Sequence, residues 1–200
     1  MDFRRIFQNA EVSGFDISPL TELLSFEQIN ELLSLVEIRE FKKGEILIQK
    51  GVVEDRFFLL RKGVVSAAIV DSTGKTFNRS LLTTYQVFMS SLVFRKKPAR
   101  LTYTCLTNCE AYVGNFKDFQ KLTLKHHEVS IFYNKILQEV FVHFDDKLIR
   151  YGASNATERY LQLIKEEPRI ESLISQKEIA FALGITPVQL SRIKSALIKK

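Results

Sequence analysis

Tryptophan is absent from this 200-residue chain, and cysteine and methionine occur twice each. Cys105 and Cys109 stand four residues apart in a strand-like run with no further cysteine and no neighbouring histidine. That spacing makes neither a disulfide framework nor a zinc site, and two buried free thiols are expected. No cysteine precedes Cys105, so an N-terminal cysteine set for an iron–sulfur cluster is excluded. The histidines are His126, His127 and His143, all in one later segment, which leaves the first 125 residues without the inward His and carboxylate set of a metal-dependent barrel enzyme. No Ser-His-Asp or Cys-His constellation is legible, so an enzyme is not expected, and no cofactor or metal site is identified. No apolar run approaches the ~18–20 residues of a membrane span. Arg4 and Arg5 are not followed by the apolar stretch of a signal peptide. A cytoplasmic protein with no membrane partner is the expectation.

Acidic residues also run out. None follows Glu178, whereas Arg192, Lys194, Lys199 and Lys200 lie beyond it. The net charge is +6, so a basic tip sits on a near-neutral body, the electrostatic footprint of a nucleic-acid binder. The same tip holds two helix starts. Ser175 with Glu178 and Thr186 with Gln189 read as capping boxes, and Pro187 occupies a first helical position, where its missing N–H costs nothing. Gly184 suits the left-handed residue that ends the first helix. Small Ala180 lies where the two helices would cross. Two helices joined by a tight glycine turn predict a helix-turn-helix whose second helix is free to enter a major groove.

The rest of the chain changes texture twice. Residues 1–34 read as helical, with one segment from Pro19 and another capped by Ser25 and Gln28. From Val36 to Val113 come short strands broken by Gly44, Gly51 and Gly63, with Asp71–Lys75 as a hairpin turn. Such a series predicts a small antiparallel barrel or sandwich. Asn115 caps a short helix. A long helix follows, from about Lys125 to Tyr151, with an apolar stripe of Val129, Phe132, Tyr133, Ile136, Leu137, Val140, Phe144 and Leu148. At 1.5 Å per residue it spans about 40 Å, more than a small barrel needs, and a two-fold dimer accounts for the surplus. Gly152 to Asn155 reads as a hinge, and Asn155 with Glu158 caps the next helix. The fold class is thus α+β: an N-terminal antiparallel β-roll with flanking helices (1–124), a long dimerisation helix with hinge (125–152) and a C-terminal all-α helix-turn-helix domain (153–200).

This order, with Phe41–Gly51, Phe58–Val64, Arg159–Ile164 and Ile185–Ile193 as its clearest carriers, resembles the Crp/Fnr family of bacterial transcription regulators. Ile185–Ile193 looks most like family members of the Bacteroidetes-type branch. The resemblance implies a jelly-roll-like, cyclic-nucleotide-binding-like sensor, a homodimer, and a two-fold symmetric double-stranded DNA site. It also implies an effector in the roll that alters dimer-helix packing and the spacing of the recognition helices. Cyclic-nucleotide-binding members carry a Gly-Glu pair and an Arg-Ser pair about ten residues on. Here Met89 and Ser90 stand for Gly-Glu, followed by Ser91, while Ala99 stands for the Arg, with Arg100 and then Leu101 after it. A one-residue shift along a strand turns a side chain to the other face. Loss of the Glu removes a charge-assisted acceptor worth ~1.5–3 kcal/mol per bond. The effector pocket is therefore expected around these residues, and the effector, an unidentified small molecule, is not expected to be cyclic AMP. Arg95, Lys96, Lys97 and Arg100 read as a solvated face.

On the second helix of the tip, Pro187, Val188, Gln189 and Arg192 are placed to face bases. Arg192 suits guanine, Gln189 adenine, and Val188 a thymine methyl. Thr186, Ser191, Lys194 and Lys177 are placed for phosphates. The sequence ends just after this helix, so backbone contacts from a C-terminal β-wing are not expected.

Overall fold

A computed structural model describes residues 11–12, 15–16, 18–70 and 76–198. Its strands are β1 (Val36–Phe41), β2 (Ile46–Ile48), β3 (Arg56–Lys62), β4 (Val65–Val70), β5 (Thr76–Leu82), β6 (Val87–Met89), β7 (Thr102–Cys105) and β8 (Cys109–Asn115). They form two four-stranded antiparallel sheets, in orders β1-β8-β3-β6 and β2-β7-β4-β5. This is the expected antiparallel roll. The Asp71–Lys75 turn lies outside the described residues, as do residues 1–10 of the expected N-terminal helical region. Within that region Glu11–Val12 pairs with Phe15–Asp16 as a short ribbon, and Ser18–Leu23 is a 3-10 turn instead of an α-helix.

Strand alternation divides the apolar residues between two compartments. Phe58, Leu60, Phe88, Ala111 and Val113 point between the sheets into a core shared with Leu47, Ile48 and Tyr103. Their neighbours Leu59 and Tyr112 point the other way, toward Leu33, Val87, Ile136 and Val140. Period-two alternation is what lets one sheet serve two cores. Gly63 turns β3 into β4 at φ +103°; a Cβ there would come within 2.6 Å of Cys109 Sγ and 2.7 Å of the Asn108 carbonyl. Both cysteines are buried free thiols.

The helices are α1 (Phe26–Ser34), α2 (Phe116–Lys125), α3 (His127–Ala153), α4 (Ala156–Glu166), α5 (Ile170–Leu173), α6 (Gln176–Ala182) and α7 (Pro187–Ile198). Ser25 and Gln28 form the reciprocal capping box that starts α1, and Asn155 and Glu158 form another at α4. Asn115 caps α2 by accepting from the Lys117 N–H at 2.8 Å. His126 takes an extended conformation, which separates α2 from α3. The long helix continues through Gly152 to Ala153, so the expected hinge is reduced to Ser154 and Asn155. Its 27 residues span about 40 Å.

Candidate nucleic-acid interface and effector compartment

The C-terminal helices meet around Ile170, Ile179, Ala180 and Leu190, all essentially inaccessible to solvent. Ala180, small and fully buried, shares this core with Leu190 of α7. The turn between them is a Schellman motif. Gly184, at φ +70°, donates its N–H to the Phe181 carbonyl at 3.1 Å, and Ile185 donates to Ala180 at 3.0 Å. Thr186 and Gln189 complete a reciprocal box: Thr186 N–H donates to Gln189 Oε1 at 2.8 Å and Gln189 N–H donates to Thr186 Oγ1 at 3.2 Å. At α6 half of the expected box is present: Ser175 Oγ accepts from the Glu178 N–H at 3.3 Å.

Glu171, which the sequence did not single out, is the hub of this domain. Its Oε1 accepts from Lys194 Nζ at 2.6 Å, from Tyr160 Oη at 3.0 Å and from Gln176 Nε2 at 3.4 Å, tying α4, α5, α6 and α7 together. The Lys194 ammonium, with burial opposing, holds the Glu171 carboxyl below its ordinary range, while burial foremost and then Glu171 push the Tyr160 phenol up to about 12. Lys194, expected at a phosphate, is thus paired with a carboxylate of the same domain, the exposed Glu171. Arg159 donates to the Ser154 carbonyl at 2.6 Å and to the carbonyl of Leu183, the C-cap of α6, at 3.3 Å.

The outward face of α7 carries Pro187, Val188, Gln189, Ser191 and Arg192, all exposed, with Thr186 at its start. Val188 is 61% exposed, a high value for an apolar side chain at a helix start. Gln189 Oε1 is occupied by the cap, which leaves its NH2 as the group free to face outward. Lys177 is exposed on α6 with its ammonium 5.6 Å above the Phe181 ring.

Helix α3 is apolar on two sides. Val129 and Phe132 are buried against α1, and Ile136 and Val140 pack toward the roll. Tyr133 is half-buried among Phe116 and Phe119. Leu137, Phe141, Phe144 and Leu148 recur at steps of four, three and four and are exposed, Phe141 to 75% and Leu148 to 73%. This is heptad spacing. The stripe expected from sequence mixed the two sides and missed Phe141.

Inside the roll, the side chains expected to hold an effector do not converge. Met89 is half-buried, on the helix-facing side of its strand. Ser90 is buried and its Oγ accepts from the Leu92 N–H at 3.4 Å. Ser91 and Arg100 are exposed, Ala99 is buried in the core, and Leu101 packs against it. Phe58, Phe88 and Tyr103 stack at 5.1 and 5.5 Å between centroids, and Tyr103 Oη donates to the Met89 carbonyl at 3.2 Å. Arg95, Lys96 and Lys97 are exposed.

Residues 38–126 match the cyclic nucleotide-binding domain. Several solved structures are similar over most of the chain. FixK2 from Bradyrhizobium japonicum is 18% identical over 82% of this chain and 85% of its own, at a TM-score of 0.70. A CooA mutant from Carboxydothermus hydrogenoformans is 16% identical over 84% and 78%, at 0.63. The Catabolite Activator Protein of Thermus thermophilus is 19% identical over 90% and 87%, at 0.55. These establish the fold, an antiparallel roll joined to helices. No curated protein sequence matches the chain. Within the matched residues, Phe88 and Tyr103 stack in the same core that buries Ala99. Among the described residues no group of three or more His, Cys, Asp or Glu is placed to hold a metal ion, and no helix is long and apolar enough to cross a membrane.

Proposed function

We propose that this chain is a homodimeric, sequence-specific DNA-binding transcription regulator of the Crp/Fnr type, with Ile185–Ile193 related to the Bacteroidetes-type branch. The observation that carries the reading is the asymmetry of α7. Its inner side is fixed by Leu190 and the Ala180 crossing, while Val188, Gln189, Ser191 and Arg192 form a rigidly presented outer row. A helix held this way, with the glycine turn behind it and no acidic residue on it, fits a major groove about 12 Å wide. The heptad seam on α3 supports pairing of two copies, which would place two such helices on one duplex.

Arg192 is assigned a guanine contact, Val188 a thymine methyl, and Gln189 a single donor contact through its NH2. Thr186, Ser191 and Lys177 are assigned to phosphates. Cyclic AMP is not the effector in this reading: Ser90 stands where the resemblance implies a carboxylate, and Arg100 is exposed. The filled interior of the roll also favours a second reading, an effector-independent sensor or scaffold that acts through protein contacts.

Selection of random duplex DNA by the purified chain at low salt tests the proposal. A two-fold symmetric enriched motif supports it, and Arg192→Ala is then expected to relax one base position per half-site by ~1–3 kcal/mol of discrimination. An unenriched pool, both alone and with cell extract added, overturns it.

A further inference from the structure

Cys105 ends β7 and Cys109 begins β8, and the turn between them carries Leu106, Thr107 and Asn108. The two thiols meet in the core of the roll, where Cys105 donates a hydrogen bond to the Cys109 sulfur. That bond, opposed by burial, holds the Cys109 thiol below its ordinary range, while Cys109 and burial push the Cys105 thiol up. Cys109 Sγ also lies 3.4 Å from the Thr107 carbonyl and 3.6 Å from the Val64 carbonyl. Its neighbours toward solvent form a thin cover: Gly63, which has no side chain, half-exposed Thr107 and exposed Asn108.

The same turn seats the C-terminal helices. Leu106 N–H donates to the Val64 carbonyl at 2.8 Å, and Val64 N–H donates to Thr107 Oγ1 at 2.9 Å. Val64 and Leu106 belong to one apolar cluster with Tyr160 of α4, Ile170 of α5 and Ile179 of α6. Thr83 of the roll donates to Glu167 at the end of α4. The thiols therefore lie beneath the contact that joins the roll to these helices.

We infer that Cys105 and Cys109 are a redox pair that hydrogen peroxide closes into a disulfide, and that closure loosens the seat of the C-terminal helices on the roll. The Cys109 sulfur attacks one peroxide oxygen and the O–O bond breaks. A sulfenic acid forms, and the other oxygen leaves as water with the Cys109 proton. The Cys105 sulfur then attacks the Cys109 sulfur, and the hydroxyl leaves with the Cys105 proton as a second water. Two thiols and one peroxide become one disulfide and two waters. A neutral disulfide suits this apolar core, where a charged metal dithiolate would find few partners. The sulfurs must close to about 2.05 Å. Closure draws Cys109 from the Val64 and Thr107 carbonyls and pulls on the turn that carries Leu106.

The test uses the full reduced chain without DNA, so it succeeds or fails independently of the DNA-binding reading. Folded protein is treated with hydrogen peroxide and analysed by mass spectrometry and by amide hydrogen exchange. The expected product is two hydrogens lighter per chain, with Cys105 and Cys109 linked in one peptide. Amides of α4, α5 and α6 should then exchange about tenfold faster, and dithiothreitol should restore the original rates. Cys105→Ser should show neither the linkage nor the faster exchange; if that variant does not fold, reversal by dithiothreitol in the wild-type chain decides. The inference is overturned by any of four results: thiols that stay reduced at millimolar peroxide, a linkage between chains instead of within one, a linked product whose helices exchange as before, or faster exchange that persists in folded Cys105→Ser.

Discussion

Replacing Phe141 by serine should separate association from folding. In the monomer the ring is 75% exposed and contributes little to the fold. Burying a phenylalanine fully is worth ~1.5–3 kcal/mol. Three quarters of that range, counted once for each copy, gives about 2–4 kcal/mol per dimer if Phe141 lies in the seam. At 1.4 kcal/mol per decade the dissociation constant should rise about 30- to 1,000-fold. Folding of the isolated chain should change by no more than about 0.5 kcal/mol, as for other exposed positions. Sedimentation equilibrium of wild type and Phe141→Ser measures the first quantity, and denaturant unfolding at low concentration measures the second. A wild-type chain that stays monomeric through the micromolar range would refute the reasoning. So would a variant that associates as tightly as wild type.

Three other outcomes follow from the geometry. Glu171→Gln should lower stability by about 0.5–1 kcal/mol at neutral pH; hydrogen bonds to a charge are stronger when buried, but this side chain is 35% exposed and screened. Because the folded carboxyl titrates below the ordinary carboxylate range, the wild-type advantage should be complete above that range and fade as pH falls through the folded value, which urea melts of both proteins at stepped pH would show. Gly184→Ala should cost about 1–2 kcal/mol from backbone strain alone, since φ is +70° and nothing lies within 4 Å of the added Cβ; a differential-scanning Tm equal to wild type would contradict the turn geometry. Cyclic AMP at millimolar concentration should leave Tm unchanged, and a saturable rise would show that the Phe88 and Tyr103 rings yield to it.

What the sequence revealed was mostly local. The box of Thr186 and Gln189 and the left-handed Gly184 were legible because each rests on bonds spanning five residues or fewer. The roll was legible in outline because strand alternation and glycine turns repeat, but β6 has three residues and no alternation to read. The distant contacts stayed hidden. Nothing near Glu171 announces that it will meet Tyr160, eleven residues before it, and Lys194, twenty-three after it. Tyr103 gives no local sign that its ring will stack on Phe88 and its hydroxyl reach Met89. On α3 the apolar residues are numerous enough that one stripe could be drawn through two faces. Only packing separates Ile136, which meets the roll, from Leu137, which is exposed like Phe141.

The central claim is that two copies of α7 read one duplex together. Half-sites one helical turn apart lie on the same side of DNA, and inserting five base pairs between them rotates one to the opposite side. Fluorescence-anisotropy titration of the selected duplex against the same duplex with that insertion is the most direct measurement. The account predicts that the insertion lowers affinity at least tenfold, toward that of a single half-site. Equal affinity for the two duplexes would contradict it.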